Sequence, residues 1–122
     1  MDIKQNNKLS NNNWSRTEGN KKYSWDVPTL IQFAKEENYK PFDLNLDCID
    51  ISGSYGFDTY RDFLKYVKRI NEVDFKYPIL IDDLGTICDG WHRVAKAIIS
   101  GKKTIKAIRL NEMPAASSVE DI

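Results

Sequence analysis

Apolar residues fall into two kinds of spacing along this chain. Val27, Leu30, Ile31 and Ala34 recur with the period of a helix, with Lys35, Glu36 and Glu37 on the other side. Asp26 suits the N-cap of that helix, and Pro28 suits its first turn, where a missing N–H is harmless. Pro41 cannot continue it, so it should end near Asn38. Phe42, Leu44, Leu46 and Cys48 then follow period two. That predicts a strand with one buried face and sets Asp43 and Asp47 together on the solvent side. The stretch Ser52 to Gly56 contains two glycines and reads as a loop. Beyond it Tyr60, Phe63, Leu64, Val67 and Ile70 form an apolar stripe. They predict a helix from Thr59 to about Asn71, capped by Asp58, with the stripe as core.

The pattern continues with a compact apolar strand, Tyr77 to Ile81. Asp82-Asp83-Leu84-Gly85 reads as a turn and Thr86 to Cys88 as a short returning strand. Asp89 reads as the N-cap of a helix from Gly90 to about Ser100, and Gly101 as the residue that stops it. Thr104 to Arg109 alternates again and predicts a last strand. The order helix, strand, helix, hairpin, helix, strand points to an α+β fold: a small mixed β-sheet with helices packed on one face.

Residues 1–22 are rich in Asn, Lys and Ser with scattered apolar positions, and read as a disordered polar arm. Residues 23–110 read as the folded domain. Residues 111–122, with Pro114, Glu112, Glu120 and Asp121, read as a flexible acidic tail. A chain 30% charged and 41% hydrophobic has the balance of an ordinary globular protein. Zero net charge removes the non-specific attraction that general nucleic-acid binders rely on. No apolar run reaches membrane-spanning length and the N-terminus lacks a signal-peptide core, so no membrane contact and a cytoplasmic location are expected. Cys48 and Cys88 lie in apolar strand-like segments, which predicts two reduced, buried thiols. One histidine and no Cys-x-x-Cys leave no zinc site to propose.

The chemistry concentrates where the third helix begins. The first N–H groups of a helix have no intrahelical acceptor, and the helix dipole adds partial positive charge there. Gly90 lets an anion approach the backbone closely. His92 and Arg93 add donors in the same turn, Arg93 with a planar fork that suits phosphate. Lys96 lies one turn further on the same surface. Trp91 offers a ring for the core, a base or a partner. Cations placed against the dipole cost stability unless an anion relieves them. The turn is therefore read as an anion site, with Asp89 and His92 as catalytic candidates and Gly90, Trp91, His92, Arg93 and Lys96 as nucleotide or phosphate contacts. Asp43, Asp47 or Asp89 would help with any metal.

The run Pro78-Ile79-Leu80-Ile81-Asp82, Gly85, Ile87-Cys88-Asp89-Gly90-Trp91-His92-Arg93-Val94-Ala95-Lys96-Ala97, then Gly101 and Thr104-Ile105-Lys106-Ala107-Ile108, resembles the ParB/sulfiredoxin superfamily. The resemblance covers about Phe42 to Leu110 and is strongest from Tyr77. It implies a ParB/sulfiredoxin-like fold, with Gly90, His92 and Arg93 as nucleotide-phosphate contacts and ATP or CTP with Mg²⁺ as cofactor. Two positions depart from the pattern. Trp91 stands where sulfiredoxins carry their catalytic cysteine, so peroxiredoxin repair is not expected. Ala95 stands where partition-type ParB proteins carry a second arginine, and only a short tail follows Leu110 in place of their helix-turn-helix and dimerisation domains. A small-molecule kinase branch has a similar turn, but its glutamate base has no counterpart among Glu36, Glu37 and Glu72. The expected function is a nucleotide-binding domain, a phosphotransferase or nucleotide hydrolase. The alternatives are a non-enzymatic protein-binding regulator of the phage-accessory kind, anchored by Trp91, and a DNA-associated nuclease.

Overall fold

A computed structural model describes residues 12–53 and 56–122. Three α-helices and seven strands in two sheets make a small α+β fold among these residues. The chain divides into two compact units that alternate along the sequence. One takes the residues up to Lys40, then Leu80–Asp89 and Arg109–Ile122; the other takes Pro41–Ile79 and Gly90–Ile108.

In the first unit, β1 (Asn13–Glu18) and β2 (Lys21–Asp26) form an antiparallel hairpin, and β7 (Ser118–Asp121) pairs with the other edge of β2. Both expectations for the chain ends are corrected here. The disordered arm over residues 1–22 is replaced by a hairpin from Asn13 onward, with residues 1–11 outside those described. The flexible tail over 111–122 ends in a paired strand. The physical reason lies across the hairpin. Trp14 faces Trp25 in register and their rings stack at 5.5 Å, with Tyr23 6.2 Å from Trp25. Cross-strand pairs of this kind stabilise a sheet but are scattered in sequence, so no local period reveals them. The Trp25 indole N–H donates to the Pro114 carbonyl at 2.9 Å, which fastens the C-terminal segment.

Helix α1 (Val27–Glu36) follows β2 directly and buries Val27, Leu30 and Ala34, while Ile31 is exposed. Asn38 takes a left-handed conformation just past its end. Strand β4 (Ile79–Ile81) begins in the other unit. From Leu80 it runs antiparallel to β5 (Ile87–Asp89), across the turn that contains Gly85. Asp82 in that turn is fully buried, and its Oδ1 accepts from the amides of Leu84 and Thr86 at 3.0 and 2.7 Å. Arg16 of β1 reaches Asp82 Oδ2 at 3.2 Å and Asp83 Oδ1 at 2.6 Å, and it also pairs with Glu18. Its guanidinium lies 5.8 and 5.4 Å from the rings of Trp14 and Trp25. A residue expected in a disordered arm thus neutralises the buried carboxylate.

In the second unit, β3 (Phe42–Asn45) pairs antiparallel with β6 (Thr104–Arg109). The strand predicted over Phe42 to Cys48 stops at Asn45, where the side-chain oxygen accepts from the Asp47 amide at 2.9 Å. That local bond competes with the ladder and turns the chain into a single 3-10 turn, Leu46–Cys48. Asp43 and Asp47 therefore do not share a strand face; Asp43 pairs with Lys106 at 2.8 Å. Cys48 is exposed, against the expectation of two buried thiols. Cys88 is buried in β5, and burial pushes its thiol up to about 12.

Helix α2 (Tyr60–Glu72) is capped by Thr59, not Asp58: the Thr59 hydroxyl accepts from the Asp62 amide. Its apolar stripe was expected to be core, yet only Ile70 is buried. Tyr60, Phe63 and Leu64 are 74%, 42% and 46% exposed. Periodicity identifies an apolar face without showing what covers it. Helix α3 (Trp91–Ile99) packs on α2 and buries Val94 and Ala97. Gly101, at φ +77°, ends α3 as expected: its amide donates to the Ile98 carbonyl and that of Lys102 to the Ala97 carbonyl.

Candidate functional site

The start of α3 differs from its reading in sequence at three points. Asp89 is the last residue of β5, opposite Leu80, and the N-cap position belongs to Gly90. The Asp89 cap is thereby corrected: Gly90 has no side chain to cap with, and the helix begins at Trp91. The reason is backbone geometry. Gly90 sits at φ +116°, which L side chains rarely adopt, and a Cβ there would lie 2.5 Å from Ile79 Cγ2. The missing side chain is thus demanded by packing against Ile79 as well as by conformation.

Lys96 does not face the helix start. Its ammonium donates to the Asn71 and Val73 carbonyls at 3.1 and 2.9 Å, and lies 5.5 Å from the Phe75 ring. The last carbonyls of α2 carry the negative end of its dipole and lack intrahelical donors, so a lysine one helix away is drawn to them. This removes Lys96 from the expected phosphate contacts. Arg93 folds back along α3, with Nη2 3.1 Å from the position a Gly90 Cβ would take.

Trp91 and His92 open α3 onto different surfaces. Trp91, 40% exposed, lines an apolar cleft of about 600 Å³ together with Ile51, Tyr66, Val94, Ile98 and Ile99. Asp50 is the one charged residue lining it among those described. Its Oδ1 accepts from both the Ser52 hydroxyl (2.6 Å) and the Ser52 amide (2.9 Å), which together hold the Asp50 carboxyl below the usual range. His92 packs on the Tyr66 ring, with centroids 4.5 Å apart. It lines a shallow depression of about 390 Å³ with Phe57, Asp58, Asp62, Lys65, Tyr66 and Arg69, four of them charged. Tyr66 is common to both hollows.

The cations beside His92 thus come from α2 and not from the start of α3. The available signal was the i, i+4 spacing of Lys65 and Arg69 on the polar side of the helix. Nothing in the local sequence distinguishes Asp50 from any other loop carboxylate. Among the described residues no group of three or more His, Cys, Asp or Glu is placed to hold a metal ion. No described helix is long and apolar enough to cross a membrane. Compared with known proteins, the chain matches no family model, no curated protein and no solved structure.

Proposed function

We propose that the domain binds a nucleotide, its base in the apolar cleft and its phosphates over the depression beside His92. One observation carries this reading: consecutive residues at the start of α3, Trp91 and His92, line an apolar hollow and a cation-bearing one that share Tyr66. A cleft of about 600 Å³ has the size of an ordinary small-ligand site, and aromatic walls suit a flat heterocycle. Lys65 and Arg69 supply cations for phosphates, and His92 a ring N–H donor. Asp58 and Asp62 balance Lys65 and Arg69 in formal charge, which favours a nucleotide that brings Mg²⁺ with its phosphates. The resemblance to ParB/sulfiredoxin domains supports the same ligand, ATP or CTP, and the same histidine. Phosphoryl transfer or hydrolysis would use His92 as the titratable group on the phosphate side. The second catalytic candidate, Asp89, belongs to the other compact unit.

Calorimetric titration with ATP, ADP, CTP and GTP, each with Mg²⁺, tests the reading. Binding of at least one, weakened about tenfold or more by Arg69→Ala and by His92→Ala, is expected, since a charged contact to phosphate contributes roughly 1.5–3 kcal/mol. No binding by the wild type, or unchanged binding by both variants, overturns it. Phosphate release from a bound nucleotide measures the catalytic extension separately.

A protein-binding role is the second reading, and the exposed Tyr60, Phe63 and Leu64 on α2 favour it. Affinity capture by the wild type and by a Phe63→Ser, Leu64→Ser variant separates the two. A partner lost in the variant supports this role, and the same partner retained removes it.

A further inference from the structure

An apolar cleft needs no carboxylate to hold a ring, yet one lines this cleft. Asp50 is also held in a particular way. Both bonds from Ser52 fall on Oδ1, while Oδ2 has no partner among the described residues. An ionised carboxylate oxygen in this position attracts a hydroxyl or a cation and repels phosphate. Building on the nucleotide reading, we infer that the cleft selects ribonucleotides over 2′-deoxyribonucleotides, with Asp50 Oδ2 accepting from the ribose 2′-hydroxyl.

Three features of the site fit that assignment. First, the C2′–C3′ edge of a ribose lies on the far side of the ring from its 5′-phosphate. Asp50 correspondingly lines the cleft and not the cation-bearing depression. Second, the other lining side chains of the cleft are aliphatic or aromatic, so a sugar placed there finds in Asp50 the only charged acceptor among the described residues. Third, a hydroxyl donated to an ionised carboxylate makes a charge-assisted hydrogen bond, which the analogue lacking that hydroxyl cannot form. The two Ser52 bonds fix the carboxylate before the ligand arrives, so little ordering is left to be done on binding.

The test is calorimetric titration of the full chain with ATP, 2′-deoxy-ATP, CTP and 2′-deoxy-CTP, each with Mg²⁺. The wild type should bind the ribose form of its nucleotide about tenfold or more tightly than the deoxy form, the factor that one charge-assisted hydrogen bond supplies. Asp50→Ala should weaken the ribose form to the level of the deoxy form and leave the deoxy form within about twofold. Asp50 is exposed, so circular dichroism and melting of the variant should match the wild type. Equal binding of ribose and deoxy forms by the wild type overturns the selection while leaving the nucleotide reading intact. Discrimination that persists in Asp50→Ala overturns the assignment to this carboxylate. Failure of every nucleotide to bind removes the nucleotide reading itself, and the selection with it.

Discussion

Two residues carry more of the structure than their local context suggests. Gly90 holds φ +116° with its missing side chain aimed at Ile79, a buried β-branched residue that cannot swing aside. Gly90→Ala should therefore cost about 3 kcal/mol, from backbone strain and overpacking together. Urea denaturation measures it, and a loss under about 1 kcal/mol would mean the turn yields easily. Arg16 is 17% exposed and its partner Asp82 only 1%. Removing the arginine leaves a buried carboxylate without its cation, so Arg16→Ala should cost about 3 kcal/mol near neutral pH. The pH dependence has a definite sign. The Asp83 carboxyl is held below its ordinary value, chiefly by the hydrogen bond from Arg16. Its contribution is thus fully present above the unfolded value of about pH 4 and is lost as pH falls through the lower folded value. The Arg16 guanidinium is shifted upward, mainly by Asp83, and stays charged throughout the working range. The stability gap between wild type and Arg16→Ala should accordingly narrow in acid, as read from denaturation curves at pH 7 and pH 3. A gap that widens in acid would contradict the Asp83 pairing.

At the scale of elements, the α2–α3 pair shows how two helices share one terminus. Lys96 projects from α3 to the last carbonyls of α2, beside Phe75. Its two charge-assisted hydrogen bonds should stabilise that end by about 1–2 kcal/mol. Lys96→Ala should lose this amount and speed amide exchange over the final turn of α2, near Ile70 to Val73, while the exchange of α1 stays unchanged. Uniform acceleration across the molecule would mean that Lys96 acts on global stability alone. The elements themselves were largely legible in advance. The stripe Val27, Leu30, Ala34 placed α1, the glycine at 101 placed the end of α3, and the alternation from Thr104 placed β6. Each rests on contacts between residues a turn or two apart. The length of β3 was overestimated for an equally local reason, because Asn45 and Asp47 close a turn that apolar alternation alone does not register.

At the scale of the whole molecule, neither compact unit is continuous in sequence, so both ends of the chain contribute to one of them. The first unit holds β1 against β2 and β2 against β7, and it also contains the Arg16–Asp82 pair. Deleting residues 1–18 removes β1, Trp14 and Arg16 together and should lower the melting temperature by roughly 10 °C or more. Differential scanning calorimetry of the truncated chain provides the check. A melting temperature within about 3 °C of the full chain would return the arm to the status of a loose tail. The exposed aromatic side of α2 belongs to the same scale. Its amphipathic pattern was plain in the sequence, but a pattern specifies a face and leaves open whether anything is folded onto it.

By itself, the sequence determined the α+β class, the three helices, the β4–β5 hairpin, the last long strand and the glycine-led turn that opens α3. All of these follow from periodicity and turn chemistry within a few residues. Only the tertiary structure decided which charges meet. Arg16 lies 66 positions from Asp82, Trp25 lies 89 from Pro114, and Lys96 lies 25 from Asn71. It likewise set Trp91 and His92 on different hollows, brought Lys65 and Arg69 beside His92, and placed Asp50 in the apolar cleft. A hydrogen bond or ion pair depends on positions in space to within an ångström or so, whereas local pattern specifies only which side of an element a residue occupies.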